Sequence, residues 1–159
     1  VTRFAATTDV AADRSRAEIE RTLQRYGADQ FMYGWEGARA LIGFRMNGRM
    51  VRFLLPLPDR ASREFTHTAG RHQARSDAQA FAAWEQACRQ RWRALNLVIK
   101  AKLEAVESGI TSFEEEFLAH TVLPSGQTAG EWMLPQVATA YERGAMPALL
   151  PALPSGDNR

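Results

Sequence analysis

The chain has one cysteine, Cys88, in 159 residues, so no internal disulfide can form and stability must come from a packed core. A lone thiol also suits a reducing compartment, and a cytoplasmic location is the expectation. No apolar run approaches the ~20 residues that span a bilayer, and no signal-peptide pattern opens the sequence. A membrane partner is therefore not expected. Lysine is nearly absent as well: eighteen of the twenty cations are arginine. No Walker loop, dinucleotide fingerprint, nucleophile elbow, HExxH or paired-cysteine zinc pattern occurs. The motif scan thus assigns no catalytic residue, metal or cofactor.

What is present is ordinary for a globular protein, with 45% apolar and 24% charged residues. A single domain of this length buries roughly 70% of the surface its unfolded chain exposes. The net charge of +2 conceals a polarity: residues 1–103 carry +8 and residues 104–159 carry −6. That division calls either for an anionic partner of the first part or for an internal match between the two. Arginine favours the first idea, because its planar fork grips phosphate or carboxylate in bidentate fashion.

The most informative stretch runs from Phe31 to Pro58. Asn47-Gly48 between two alternating apolar runs is a strong hairpin signal, since both turn residues must take positive φ. Pairing outward from that turn sets Met46 opposite Arg49, Phe44 opposite Val51 and Ile42 opposite Phe53. These share one face with Leu55. A second tight turn at Glu36-Gly37 adds Phe31, Tyr33 and Trp35 to the apolar face. Arg39 then joins Arg45 and Arg52 on the other face, beside Leu41, Met50 and Leu54. The expectation is a three-stranded meander with one aromatic side to bury and one arginine-bearing side.

Around the meander the pattern is helical. Residues 1–12 lack apolar periodicity and are expected as a flexible arm or short edge segment. Ser15 with Glu18 has capping-box spacing and opens a short amphipathic helix through Ile19, Leu23 and Tyr26 to Gly27. Arg60 to Arg75 is a polar connection, rich in arginine, that looks mobile in isolation. Ser76 or Asp77 caps a helix running without Gly or Pro to Ser108, a rod about 45 Å long. Its stripe of Phe81, Trp84, Cys88, Leu95, Ile99 and Val106, widened by Trp92, Val98 and Leu103, is the natural cover for the aromatic sheet face. The rod outruns so small a sheet, so its second half is expected to meet the acidic C-terminal segment or another copy. Thr111 or Ser112 opens a short helix with Glu114 to Glu116 in its first turn, favoured there by the helix dipole. Val122-Leu123 reads as a brief strand. Thr128 with Glu131 caps a last helix through Trp132, Met133, Val137 and Tyr141, which Pro135 either kinks or delays. Met146 to Pro151 is an apolar, proline-pinned strap, and 152–159 is expected to be a disordered tail.

Two constellations have chemical interest beyond this pattern. Glu116 and His120 are four apart on one helix face and could share a metal, but no third ligand is evident. Cys88 sits on the buried stripe, which suits an inert core thiol. Phe31, Tyr33 and Trp35 would be stacking platforms for nucleic-acid bases only if the register slipped by one residue.

The segments RSRAEIERTLQRYGADQF, GRMVRFLLPLPD, EQACRQRWRALNLVIKAKLEAVESGITSFEEEFLAH and GAMPALLP resemble a family of small proteins encoded by bacteriophages and prophages. The likeness runs from Thr8 to Pro151. It implies a bacterial cytoplasmic setting and a role in phage DNA metabolism or host takeover, and it brings no activity and no site residue. The order of helix, meander and long helix also looks like the core of phage single-strand annealing proteins, a likeness of fold alone.

These readings together predict an α+β domain over residues 13–151: a short N-terminal helix, a three-stranded antiparallel meander, a long helix on the sheet and a helical, acidic C-terminal part. The leading functional expectation is a non-enzymatic nucleic-acid-binding protein, with single strands among its possible targets. In it Arg39, Arg45, Arg49 and Arg52 contact phosphates, and Arg60, Arg63, Arg71 and Arg75 close over them. The alternative is a protein-interaction module: a homodimer through the long helix, or an inhibitor or adaptor of a host protein. A metal-dependent enzyme built on Glu116 and His120 ranks last.

Overall fold

The computed structural model describes residues 3–36, 38–70 and 72–145, with backbone only for 3–13. Helix α1 (Arg3–Arg25) leads into strands β1 (Gln30–Glu36), β2 (Arg39–Met46) and β3 (Arg49–Pro56). A helical turn, α2 (Arg63–Thr66), precedes the long α3 (Asp77–Glu107). The short α4 (Phe113–Phe117), a 3-10 turn (Leu118–His120) and α5 (Ala129–Arg143) complete an α+β architecture.

The sheet follows the alternation in the sequence. Its order is β1-β2-β3, antiparallel, with Phe44 opposite Val51, Ile42 opposite Phe53 and Met46 opposite Arg49. Asn47 and Gly48 take the positive φ that the tight turn requires, at 52° and 69°. Glu36 is still paired, with Arg39, so the first turn follows Glu36 and is not at Glu36-Gly37. The register shifts accordingly, and Phe31 meets Phe44 and Tyr33 meets Ile42. Ala40, Ile42, Phe44, Met46, Val51, Phe53 and Leu55 are buried on one face. Trp35, at the end of that face, stays 38% exposed.

Helices α1 and α3 cover this face side by side. Tyr26 donates to Glu104 and Asn96 donates to Glu18, both at an offset of 78 residues, so the two helices run parallel. Ile19 and Leu23 from α1 join Trp92, Leu95, Ile99 and Leu103 from α3 in the main core. Phe117 of α4 closes its end, with its ring edge-on to Phe44 and Phe53.

Four expectations about the helices and their connection need correction. Helix α1 does not begin at Ser15, which is buried within it; the helix reaches back to Arg3. The upstream residues lack Gly and Pro and are rich in alanine, so helix propensity prevails where apolar periodicity is weak. The second half of α3 covers the sheet and meets the acidic segment as expected, but its first half does not reach the sheet and packs Trp84 and Cys88 on Phe65 in a smaller core. That core also folds the 60–75 connection, where Trp84 Nε1 donates to Pro58 O at 2.8 Å and His67 bridges to Ala74. Val98, assigned to the apolar stripe, is 45% exposed.

The caps at Ser76, Ser112 and Thr128 all form complete capping boxes. Pro135 lies inside α5, which starts at Ala129 without delay. Thr121 and Val122 pair with the outer edge of β3, Val122 N–H donating to Met50 O at 2.7 Å. The strap and tail expected from Met146 onward lie outside the described residues.

Truncating Trp92, fully buried in the main core, should lower stability by about 3–5 kcal/mol in Trp92→Ala. Leu97→Ala, on the exposed side of the same helix, should change it by less than about 0.5 kcal/mol. Urea unfolding followed by circular dichroism measures both. Equal losses would place α3 in a different rotation from the one described.

Candidate functional site

The arginines of the open sheet face are held by carboxylates of the same chain. Arg45 grips Asp29 in bidentate fashion, Nε to Oδ1 and Nη2 to Oδ2, each at 2.8 Å. The guanidinium hydrogen bond holds the Asp29 carboxyl below its ordinary range and raises Arg45. Arg39 Nη2 reaches Glu36 Oε2 at 2.7 Å across the first hairpin turn. Arg52 donates to Glu131 Oε2 at 2.8 Å and to Gly126 O at 3.0 Å, and its side chain is only 24% exposed. Backbone hydrogen bonding from Thr128, with Arg52 a lesser cause, lowers the Glu131 carboxyl. A phosphate arriving at this face would have to displace a carboxylate at each step.

Arg49 lies opposite Met46, so strand alternation turns it to the core side of the layer, away from Arg45 and Arg52. The 60–75 connection packs α2 on α3, the helix covering the opposite face of the sheet. Its cations have local tasks. Arg60 lies over the Phe81 ring at 4.9 Å, and Arg75 donates to Glu64 O and Phe65 O at the end of α2. Arg63 is exposed, and Arg71 lies outside the described residues. The seven of these arginines that are described thus do not converge on one surface: Arg39, Arg45 and Arg52 share a face and Arg49, Arg60, Arg63 and Arg75 leave it.

The two halves of the charge polarity meet internally instead. Arg52–Glu131 is one link, and Lys102 Nζ to Glu116 Oε1 at 2.8 Å is another. That second pair engages the Glu116 carboxylate. The ring of His120 stacks on Phe53 with centroids 4.0 Å apart. Among the described residues no group of three His, Cys, Asp or Glu side chains lies together. Cys88 is fully buried, and burial pushes its thiol up to about 11.

Two surfaces escaped the sequence reading. Helix α5 is anchored through its first turn, where Gly130 lies so close to the 3-10 turn that a Cβ would sit 2.7 Å from Ala119 O. Beyond that anchor Leu134 is 67% exposed, and Trp132, Val137 and Tyr141 are exposed too. Between α4, the 3-10 turn and α5 lies a groove of about 320 Å³, lined among others by Leu118, Ala119, Met133, Leu134 and Val137. The helical spacing of Met133, Val137 and Tyr141 was a visible signal, but whether another element covers that stripe is a tertiary fact. The second surface is a depression of about 250 Å³ in the α1–α3 seam, lined by Arg14, Ser15, Glu18, Arg89 and Arg93. Glu18 and Glu85 pair with Arg14 and Arg89 there.

Burial first, and the Lys102 charge second, lower the His120 imidazole from its ordinary 6.5. The unfolded chain therefore takes up the proton before the folded one as pH falls. Stability linked to this ring is complete above pH 6.5 and is lost as pH drops through the folded-state value. The urea midpoint should accordingly fall between about pH 7 and pH 5, and His120→Phe should flatten that fall. An unchanged slope in the variant would remove His120 as its source. The lowered carboxyls of Asp29, Glu115 and Glu131 titrate below this window.

Among the described residues no helix is long and apolar enough to cross a membrane. Comparison with family models, with curated proteins and with solved structures finds no match to this chain.

Proposed function

We propose that this protein is a protein-interaction module whose docking element is α5 and the groove at its base. The observation behind this reading is the apolar side of α5, from Leu134 through Val137 to Tyr141, left exposed beyond a one-turn anchor. An amphipathic helix gains its stability from covering such a stripe, and a partner's apolar segment completes it. Glu115 stands on the groove, beside a Glu116 that Lys102 already pairs, within a C-terminal part of net charge −6. The partner segment suited to it is apolar with a positively charged flank.

The alternative, nucleic-acid binding, draws its support from the α1–α3 seam instead of the sheet. Arg14, Arg89 and Arg93 line that depression, and Arg93 makes no ion pair with any described residue. Cations so placed can exchange counterions with a phosphate backbone without displacing an internal carboxylate from Arg93.

One experiment separates the two readings. A benzophenone-bearing residue at position 137 of the full chain, irradiated in bacterial lysate, should yield a single stoichiometric protein adduct. With that partner purified, Leu134→Asp should weaken binding by about tenfold or more and Arg93→Ala should leave it unchanged. Absence of an adduct, together with salt-sensitive oligonucleotide binding lost in Arg89→Ala/Arg93→Ala, would overturn the proposal in favour of the alternative.

A further inference from the structure

The two edges of the sheet are treated differently. The outer edge of β3 is occupied by the chain itself through Thr121 and Val122. The outer edge of β1 pairs with no other strand among the described residues. Ladder parity says which groups it presents. In β2 the even residues bond to β3, a parity that Leu57 N–H continues by donating to Ala38 O at 3.3 Å. The odd residues of β2 therefore bond to Gln30, Met32, Gly34 and Glu36, their partners in β1. The backbone N–H and C=O groups of Phe31 and Trp35 point outward from the sheet.

Edge strands are ordinarily guarded by lysine, proline, bulges or covering elements. The run Gln30–Glu36 reads QFMYGWE, with no cation and no proline, and its single charge is the terminal Glu36. Such an edge is a template for another strand.

We infer that β1 pairs antiparallel with β1 of a second copy about a two-fold axis through residue 33. The register is self-complementary. Phe31 of one protomer faces Trp35 of its partner, so outward backbone groups meet outward groups and the aromatic faces become continuous. This gives Trp35, partly exposed in the single chain, a cross-strand aromatic neighbour. On the open face Met32 falls opposite Gly34 of the partner. Met32 is 47% exposed and already lies across Gly43 of its own sheet, while the space over Gly34 holds no atom within 4 Å of an added Cβ. The methionine of each copy thus has room over the glycine of the other. Charge within the strand agrees as well, because Glu36 falls opposite Gln30 and the two β1 strands set no like charges against each other. The pairing forms a six-stranded sheet, with α1 and α3 of both copies on one side and both α5 grooves left accessible beside the β3 edges.

Sedimentation velocity on the full chain over a range of concentrations tests this directly. The expected result is a reversible dimer that Met32→Lys weakens by about tenfold or more, because the new cation must sit in the paired edge. Leu134→Asp, on α5, should leave the dimer intact. Met32→Cys/Gly34→Cys, which sets two thiols opposite two others across the axis, should give a covalent dimer under mild oxidation, and Met32→Cys alone should not. Cys88 is buried and stays silent in that assay. A chain that remains monomeric, or a dimer that survives Met32→Lys while its double-cysteine form fails to cross-link, would overturn the inference. Circular dichroism of each variant separates loss of pairing from loss of folding.

Discussion

The strict two-residue period of β2 is the constraint from which the rest of the molecule follows. Even-numbered side chains from Ala40 to Met46 enter the core, and odd-numbered ones from Arg39 to Arg45 leave it. A slip of one residue would exchange the two sets and put guanidinium groups where Trp92 and Phe117 now pack. The Asn47-Gly48 turn prevents that slip by fixing Met46 against Arg49. The same parity selects which backbone groups reach each neighbour. It thereby decides that β3 can take up Val122 on one side and that β1 presents Phe31 and Trp35 on the other.

Charge in this protein is used mainly to tie segments together. Arg45–Asp29 fastens the start of β1 to β2, and Arg52–Glu131 fastens the start of α5 to the sheet. Lys102–Glu116 joins the long helix to α4. Each pair is partly open to solvent, so none is a large source of stability. Their consequence is geometric: the open sheet face is left close to neutral, with Leu41, Met50 and Leu54 between occupied arginines. Recognition by apolar surface suits that face, and the exposed stripe of α5, better than capture of a polyanion does.

Local periodicity made most of the architecture legible. The meander, the register of β2 against β3, the capping box at Thr128 and most of the buried stripe of α3 follow from short-range spacing and turn chemistry. The site was much less legible, because pairing of charges is a long-range fact. Asp29 sits sixteen residues from Arg45 and Glu131 seventy-nine from Arg52, separations at which nothing in the sequence links the partners. The 60–75 connection was misread for a related reason. Its one large apolar residue, Phe65, is too little to suggest a core until Trp84 and Cys88 are brought against it. Extension of α1 to Arg3 was hidden by the opposite problem, a segment with good helix propensity and no amphipathic signal.

The central claim is that the sheet arginines are already bound within the chain, and the Asp29 carboxyl reports on it most directly. Carbon-detected NMR titration of the full chain should give Asp29 a midpoint below the ordinary carboxylate range. That midpoint should return toward the ordinary range in Arg45→Gln. An Asp29 that titrates as an ordinary carboxylate in the unaltered protein, with no response to the loss of Arg45, would contradict the account. Arg45 would then be available to an outside anion.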